Sequence, residues 1–429
     1  MYDLAIIGAG WAGFNAALKA KELGLKACLI EEAYIGGTCL NLGCIPTKSL
    51  IQSSKIFSLT KKSQVFGLDP VTPGFNLSKI QERKDKIVQQ LRSGMQFMLK
   101  GIDFLEGEAK IISHNEIVVG DKTIKCKNIL IASGSKPYEL GQFKFDGNKI
   151  VSSNDILKLT EFPKSLLIVG GGVIGCEFAS LFASLGALVT IVEKLSQLLP
   201  GVDKEVARKI ETIFKKKGIK VNTNTDASDL NLDDFSLVLV CVGRLANTDR
   251  LGLEKLGINL DRGRITVDEY LRTNVTNIYA AGDCASKTML AHYAAYQGII
   301  AVENIANPAN LKKADNSVIP GCIFTDPEIA TVGLSEEEAR AGNIEIRINK
   351  FDFLASGMAR IMDETDGFVK IVSDAKSDII LGASIIGPKA SELIAVITLA
   401  ISNKLKVSQV KNTIFAHPTL SEAIHESLH

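Results

Sequence analysis

A chain of 429 residues is too long for one hydrophobic core and predicts two or three domains. Its net charge of +1, with basic and acidic residues spread along the length, excludes the electrostatic footprint of a nucleic-acid or anionic-membrane binder. The apolar runs are short and broken by Gly or charge, so none is expected to span a bilayer.

The first predicted strand covers 4–7 and runs into Gly8-Ala9-Gly10-Trp11-Ala12-Gly13, then an Ala- and Leu-rich helix to Leu23-Gly24. A second strand over 27–30 ends in Glu31. The same build recurs later: strand 166–169, Gly170-Gly171-Gly172-Val173-Ile174-Gly175, a helix to Leu185-Gly186, and strand 188–192 ending in Glu193. Gly8, Gly10, Gly13 and Glu31 return at one fixed offset as Gly170, Gly172, Gly175 and Glu193. A lone G-x-G-x-x-G is weak evidence, but both copies have a strand before, a helix after and an acid about 20 residues on. The first glycine permits the tight turn, the second admits a pyrophosphate to the backbone, and the third lets helix pack on strand. The helix start offers free N–H groups to the phosphates, and the acid accepts from a ribose hydroxyl. Two dinucleotide sites in one chain imply a flavin nucleotide and a nicotinamide nucleotide. A carboxylate at Glu193 disfavours a 2′-phosphate; Lys194 beside it weakens that reading slightly, and NAD is favoured over NADP.

Between the two copies lies segment 36–48, which holds Cys39 and Cys44 as a C-x4-C pair. In a straight helix such residues are about 7.5 Å apart along the axis, whereas disulfide Cα atoms normally lie within about 7 Å. The pair therefore predicts a distorted helix start, with Gly43 allowing the distortion and Pro46 in the first helical turn. A thiol at a helix start has a lowered pKa, which makes a thiolate plausible at Cys44. Structural zinc would want a second Cys or His pair at ligand spacing, and none is present. With no basic, apolar leader after Met1, the chain is expected to be cytoplasmic rather than secreted. Cys28, Cys126, Cys176, Cys241, Cys284 and Cys322 read as packing thiols.

These residues resemble the pyridine nucleotide–disulfide oxidoreductases, and within them the branch that oxidises dihydrolipoamide. The resemblance covers nearly the whole chain. It rests on the first glycine loop, Gly37-Thr38-Cys39 through Lys48, Ala132-Ser133-Gly134, and Gly170 to Gly175 with Glu177. Further matches are Val242-Gly243-Arg244, Ala281-Gly282-Asp283, Met289-Leu290-Ala291-His292, Phe324 to Glu328, and His417-Pro418-Thr419-Leu420-Ser421-Glu422. It implies an α/β fold with two Rossmann-like domains, FAD-binding over 1–147 and 246–316 and NAD-binding over 148–245. A C-terminal α+β dimerisation domain over 317–429 follows. It also implies that Gly8, Gly10, Gly13, Glu31, Thr38, Lys48, Ala109, Ser133, Gly134, Asp283 and Ala291 serve FAD, Ala109 through its backbone. Gly170, Gly172, Gly175, Glu193 and Gly243 would serve NAD. Lys48 resembles the lysine that lies beside the flavin and pairs with the glutamate at Glu177. Cys39 would be the exposed interchange thiol and Cys44 the thiolate beside the flavin.

The resemblance further implies a homodimer in which His417 of one subunit serves the cysteines of the other. Glu422, one helical turn beyond a Pro-initiated start, would orient the imidazole. A lipoyl-bearing 2-oxo acid dehydrogenase or glycine-cleavage complex would be the partner. Three features depart from the family pattern. Phe415 stands where a second histidine is usual, 222–235 is shorter than the usual strand meander, and Gln297 replaces a glutamate. Rivals on the same fold are glutathione, trypanothione and mercuric reductases and NADH oxidases. The first two usually carry Arg near position 193 and Lys at 47, and mercuric reductases a C-terminal cysteine pair. A complex-bound scaffold without turnover is a rival of another class.

Overall fold

Strands rich in Ile, Leu and Val that are buried on both faces belong at the centre of a parallel sheet. Tyr2–Ile7 takes that place, with parallel partners Ala27–Glu31 on one side and Lys122–Ile131 on the other. Asp103–Glu106 extends one edge, and Ile278–Ala280 also pairs with Lys122–Ile131. Successive side chains point to opposite faces of a strand, and the packing follows. Leu4, Ile6, Leu29 and Leu130 meet helices Trp11–Glu22 and Ala291–Ala306. Ala5, Ile7, Ile30, Ile129 and Ile131 meet the antiparallel strands Ala109–Ser113 and Glu116–Val119 on the other face. Small residues bring the two helices together: a Cβ on Gly298 would stand 2.2 Å from the Ala12 carbonyl oxygen.

The computed structural model describes residues 1–429 as two compact units. The sheet just described belongs to the unit made of 1–49, 78–138 and 243–315. The other unit comprises 50–77, 139–242 and 316–429 and holds two sheets. One is parallel, in the order Lys220–Asn222, Leu188–Val192, Ser165–Val169, Leu237–Val240, Ile150–Val151. In place of a strand meander, 222–235 forms two one-turn helices, Ala227–Asp229 and Leu232–Asp234. The other sheet is antiparallel, in the order Gly321–Ile323, Glu328–Gly333, Ile380–Gly387, Phe368–Asp374, Ile346–Asp352. Helix Ala390–Ser402 covers it with Leu393, Ile394 and Ile397. Lys370 of this sheet is buried, 2.9 Å from Asp203 and 2.7 Å from Glu336. Its desolvation is offset only while those acids remain, and stripping a buried charge of its partner costs about 3–5 kcal/mol. No helix is long and apolar enough to cross a membrane.

Candidate functional site

The two glycine loops superpose chemically, contact for contact. In the first, Glu31 accepts the Ala9 amide at 2.7 Å and the Ala33 amide at 2.9 Å. In the second, Glu193 accepts the Gly171 amide at 2.7 Å and the Leu195 amide at 2.8 Å. Both carboxylates thus grip their own loop, a role that the sequence reading gave only to a ribose. Each carboxylate has about four acceptor positions, so a ribose can still be bound beside the backbone amides. Gly8 and Gly170 sit at φ +99° and +110°, in the left-handed region that favours glycine. A Cβ on Gly13 would stand 1.8 Å from the Gly8 oxygen, and one on Gly175 2.0 Å from the Gly170 oxygen.

The helix starts after these loops are not closed by any side chain. The helix Lys204–Lys216 is capped by Asp203, and Glu336–Ala341 by a Ser335/Glu338 capping box. By contrast, Trp11–Glu22 and Val173–Leu185 have no side-chain cap and no acid in the first turn. Their leading N–H groups and positive dipole ends are left for an external anion. Beside the first loop an open cleft is lined by Gly8, Glu31, Glu32, Glu108, Ala109 and Arg250, among others. Ser133 also lines it, and the buried Ser133 hydroxyl meets only the Cys284 sulfur. A polar, uncapped cradle with a spare buried hydroxyl fits a dinucleotide. Glu108 and Arg250 escaped the sequence reading; their one signal was the position of Glu108 next to Ala109.

Cys39 lies inside the short helix Gly37–Leu42, and Gly43 breaks it at φ −149°, ψ −116°. Cys44 then opens a new helix, Cys44–Lys61, with Pro46 in its first turn. The expected distortion is therefore a break between two helices. Cys39 is half-buried and Cys44 exposed. A hydrogen bond to the Cys44 sulfur, then burial, push the Cys39 thiol far above its ordinary value; the Trp11 indole N–H and Lys48 oppose this weakly. The other thiols are packing groups as read. Burial pushes Cys28 and Cys241 up to about 12 and Cys126 and Cys284 up to about 11. Cys176 is fully buried and Cys322 partly so.

Thr38 and Lys48 flank the cysteines on their two helices. Gly134, at φ +72°, leads into strand Ser135–Pro137. Asp283 accepts the Ser135 hydroxyl at 2.6 Å, and Ser135 in turn is held by Arg244 through Nε at 2.8 Å and Nη2 at 2.7 Å. Burial draws the Arg244 guanidinium below its ordinary value, with Asp283 and Cys44 opposing. Asp283 is thus one end of a polar chain, presented from the turn that follows Gly282. Ser135 was missed, although it adjoins the matched Gly134, and Arg244 was matched within Val242-Gly243-Arg244 but given no role. Gly243 is at φ +133° and its carbonyl accepts the Tyr138 amide. Ala291 opens the helix Ala291–Ala306, where Gln297, standing in for a glutamate, is buried and accepts the Gly282 amide at 2.9 Å. In the second unit, Glu177 is buried and accepts the Phe324 amide at 2.9 Å.

His417 is 81% exposed, and its Nδ1 lies 2.8 Å from Glu422. The pair does not form across a Pro-initiated helix as expected: 417–421 is a turn and the helix starts at Glu422. Glu422 is fixed by also accepting the Thr419 amide at 2.8 Å, and these two bonds hold its carboxyl below the ordinary range. Phe415 turns inward onto the C-terminal core and the His425 ring, while His425 bonds the Lys411 carbonyl at 3.0 Å. An aromatic thus fills a structural position here.

The pyridine nucleotide-disulphide oxidoreductase family matches residues 2–298, and its dimerisation domain matches 319–428. Curated relatives named dihydrolipoyl dehydrogenase include one from Zymomonas mobilis, 39% identical over 100% of this chain and 97% of its own. Another, from Chlamydia pneumoniae, is 42% identical over 98% of this chain and 95% of its own. Among solved structures, LpdA from Mycobacterium tuberculosis aligns with a TM-score of 0.92 at 28% identity, covering 100% and 99% of the two chains. An HOCl-induced flavoprotein disulfide reductase from Escherichia coli aligns at 0.87 and 30% identity, covering 100% and 98%. With matching domains along almost its whole length and paired thiols at a helix break beside a dinucleotide loop, the chain belongs to the pyridine nucleotide–disulfide oxidoreductase family.

Proposed function

We propose that the chain is a dihydrolipoyl dehydrogenase: it oxidises the dithiol of a protein-bound lipoyl group and reduces NAD⁺. The observation that carries this reading is the Cys39/Cys44 pair at the helix break, together with a His417–Glu422 pair of acid–base type. The cofactors are FAD and NAD. In this reading FAD is held by Gly8, Gly10, Gly13, Glu31, Thr38, Lys48, Ala109, Ser133, Gly134, Asp283 and Ala291. NAD is held by Gly170, Gly172, Gly175, Glu193 and Gly243, while Glu177 pairs with the lysine beside the flavin. Bound there, FAD would supply two-electron redox chemistry and NAD⁺ would supply hydride acceptance.

The protein's own groups perform the thiol exchange. His417, oriented by Glu422, takes a proton from the lipoyl dithiol. The thiolate so formed attacks the Cys39 sulfur of the Cys39–Cys44 disulfide, and Cys44 leaves as a thiolate. The second lipoyl thiol then attacks the first lipoyl sulfur and displaces Cys39, which takes up the released proton; the lipoyl disulfide closes and the cysteine pair is left two electrons reduced. Cys44 begins a helix, where N–H groups stabilise a thiolate. Interaction with Cys44, then burial, raises the Cys39 thiol, which favours leaving the charge of the reduced pair on Cys44.

The dimerisation domain supports a homodimer, and in this reading His417 serves the neighbouring subunit's cysteines. The three-part division is 1–147 with 246–316 for FAD, 148–245 for NAD and 317–429 for dimerisation. The enzyme would work in the cytoplasm on a 2-oxo acid dehydrogenase or glycine-cleavage complex. The test is steady-state turnover with lipoamide, glutathione disulfide, NADH and NADPH. Lipoamide with NADH should exceed every other pairing by at least about tenfold, and preferred use of glutathione disulfide sinks the reading.

The duplicate loops can be separated by substitution. Gly13→Ala should purify with little flavin, while Gly175→Ala should keep its flavin and lose NADH affinity about tenfold or more. Flavin absorbance per polypeptide and an NADH titration would check this. Flavin loss from Gly175→Ala alone would reverse the assignment of the two loops.

A further inference from the structure

Lys194 directly follows Glu193 and is the one residue there that could favour a 2′-phosphate. Its side chain is 80% exposed, yet its ammonium lies 3.2 Å from the Asp226 carboxylate. That meeting is built by the backbone. The Glu193 amide donates to the Asn222 carbonyl at 2.9 Å, the Thr225 amide to the Glu193 carbonyl at 3.1 Å, and the Asn224 amide to the Leu195 carbonyl at 2.9 Å. The shortened segment after strand Lys220–Asn222 is thus laid along 193–195 and delivers Asp226 to Lys194. Asp226 is itself anchored, accepting the Ser228 amide at 3.1 Å and the Ser228 hydroxyl at 2.9 Å as the cap of Ala227–Asp229. Those two bonds and Lys194 hold its carboxyl down to about 2, so it is charged at any working pH.

We propose that Asp226 is a specificity residue of the second nucleotide site: by engaging Lys194 it denies that cation to a 2′-phosphate, so the site takes an adenosine with a free 2′-hydroxyl. This rests on reading the second loop as the NAD site. An exposed ion pair contributes little to stability, so its effect lies in the charge that an incoming ligand meets. A 2′-phosphate would face Glu193 and Asp226 with one cation already shared. A ribose with a free hydroxyl brings no charge and is indifferent to the pair.

The test is calorimetric titration of the flavin-loaded protein with two probes, ADP and adenosine 2′,5′-bisphosphate, and needs no turnover. Asp226→Asn keeps the cap, since Asn caps as well as Asp, and removes the charge. It should tighten adenosine 2′,5′-bisphosphate about fivefold and leave ADP unchanged, and the gain should shrink at high salt. Adding Lys194→Met should erase the gain. Unchanged bisphosphate affinity, an equal gain for ADP, or a gain that survives Lys194→Met each overturns the proposal. If the unsubstituted protein binds neither probe, the NAD reading of this loop fails and the proposal falls with it.

Discussion

Replacing Cys39 with Ser should lower lipoamide turnover at least about 1,000-fold while the protein stays yellow, because the sulfur that accepts the substrate thiolate is gone but the flavin cradle is untouched. The Gly8–Gly13 loop, Glu31 and the uncapped helix start at Trp11 do not depend on the Cys39 side chain for their geometry. Stopped-flow measurement should show that NADH still bleaches the flavin of Cys39→Ser at a rate near that of the parent. Cys44→Ser should also lose turnover, but by removal of the leaving thiolate at the helix start. A Cys39→Ser protein with normal lipoamide turnover would end the disulfide mechanism.

The second large effect is expected at His417. Changing it to Gln removes the proton acceptor but retains a polar side chain, and a positioned general base is worth about 10²–10⁴-fold. Lipoamide turnover should fall by that amount, whereas flavin reduction by NADH should change less than about twofold. Equal loss in both reactions would show that His417 supports the flavin environment and not thiol exchange. Glu422→Gln should give a smaller loss than His417→Gln, since Gln can still accept the Thr419 amide but no longer stabilises an imidazolium.

Phe415 and Gln297 show how departures from a family pattern resolve in three dimensions. Phe415 packs against His425 and the C-terminal core, so a polar group there is replaced by burial. Gln297 keeps an acceptor for the Gly282 amide without a buried negative charge. Neither departure touches the cysteines or the His417–Glu422 pair.

What could be read from the sequence alone was whatever local sterics and local chemistry demand. Gly8, Gly13, Gly170 and Gly175 betray themselves because a side chain at any of them would strike backbone within a few residues or strain the turn. Cys39 and Cys44 betray themselves because the four residues between them must bend to bring two sulfurs together. The tertiary structure alone decided the contacts that need a distant return of the chain. Ser135 meets Arg244 and Asp283 across more than 100 residues. Asp226 reaches Lys194 because the strands Leu188–Val192 and Lys220–Asn222 lie side by side. Sequence periodicity carries the backbone's short-range rules; which side chains finally face each other is set by how the packed sheets return the chain.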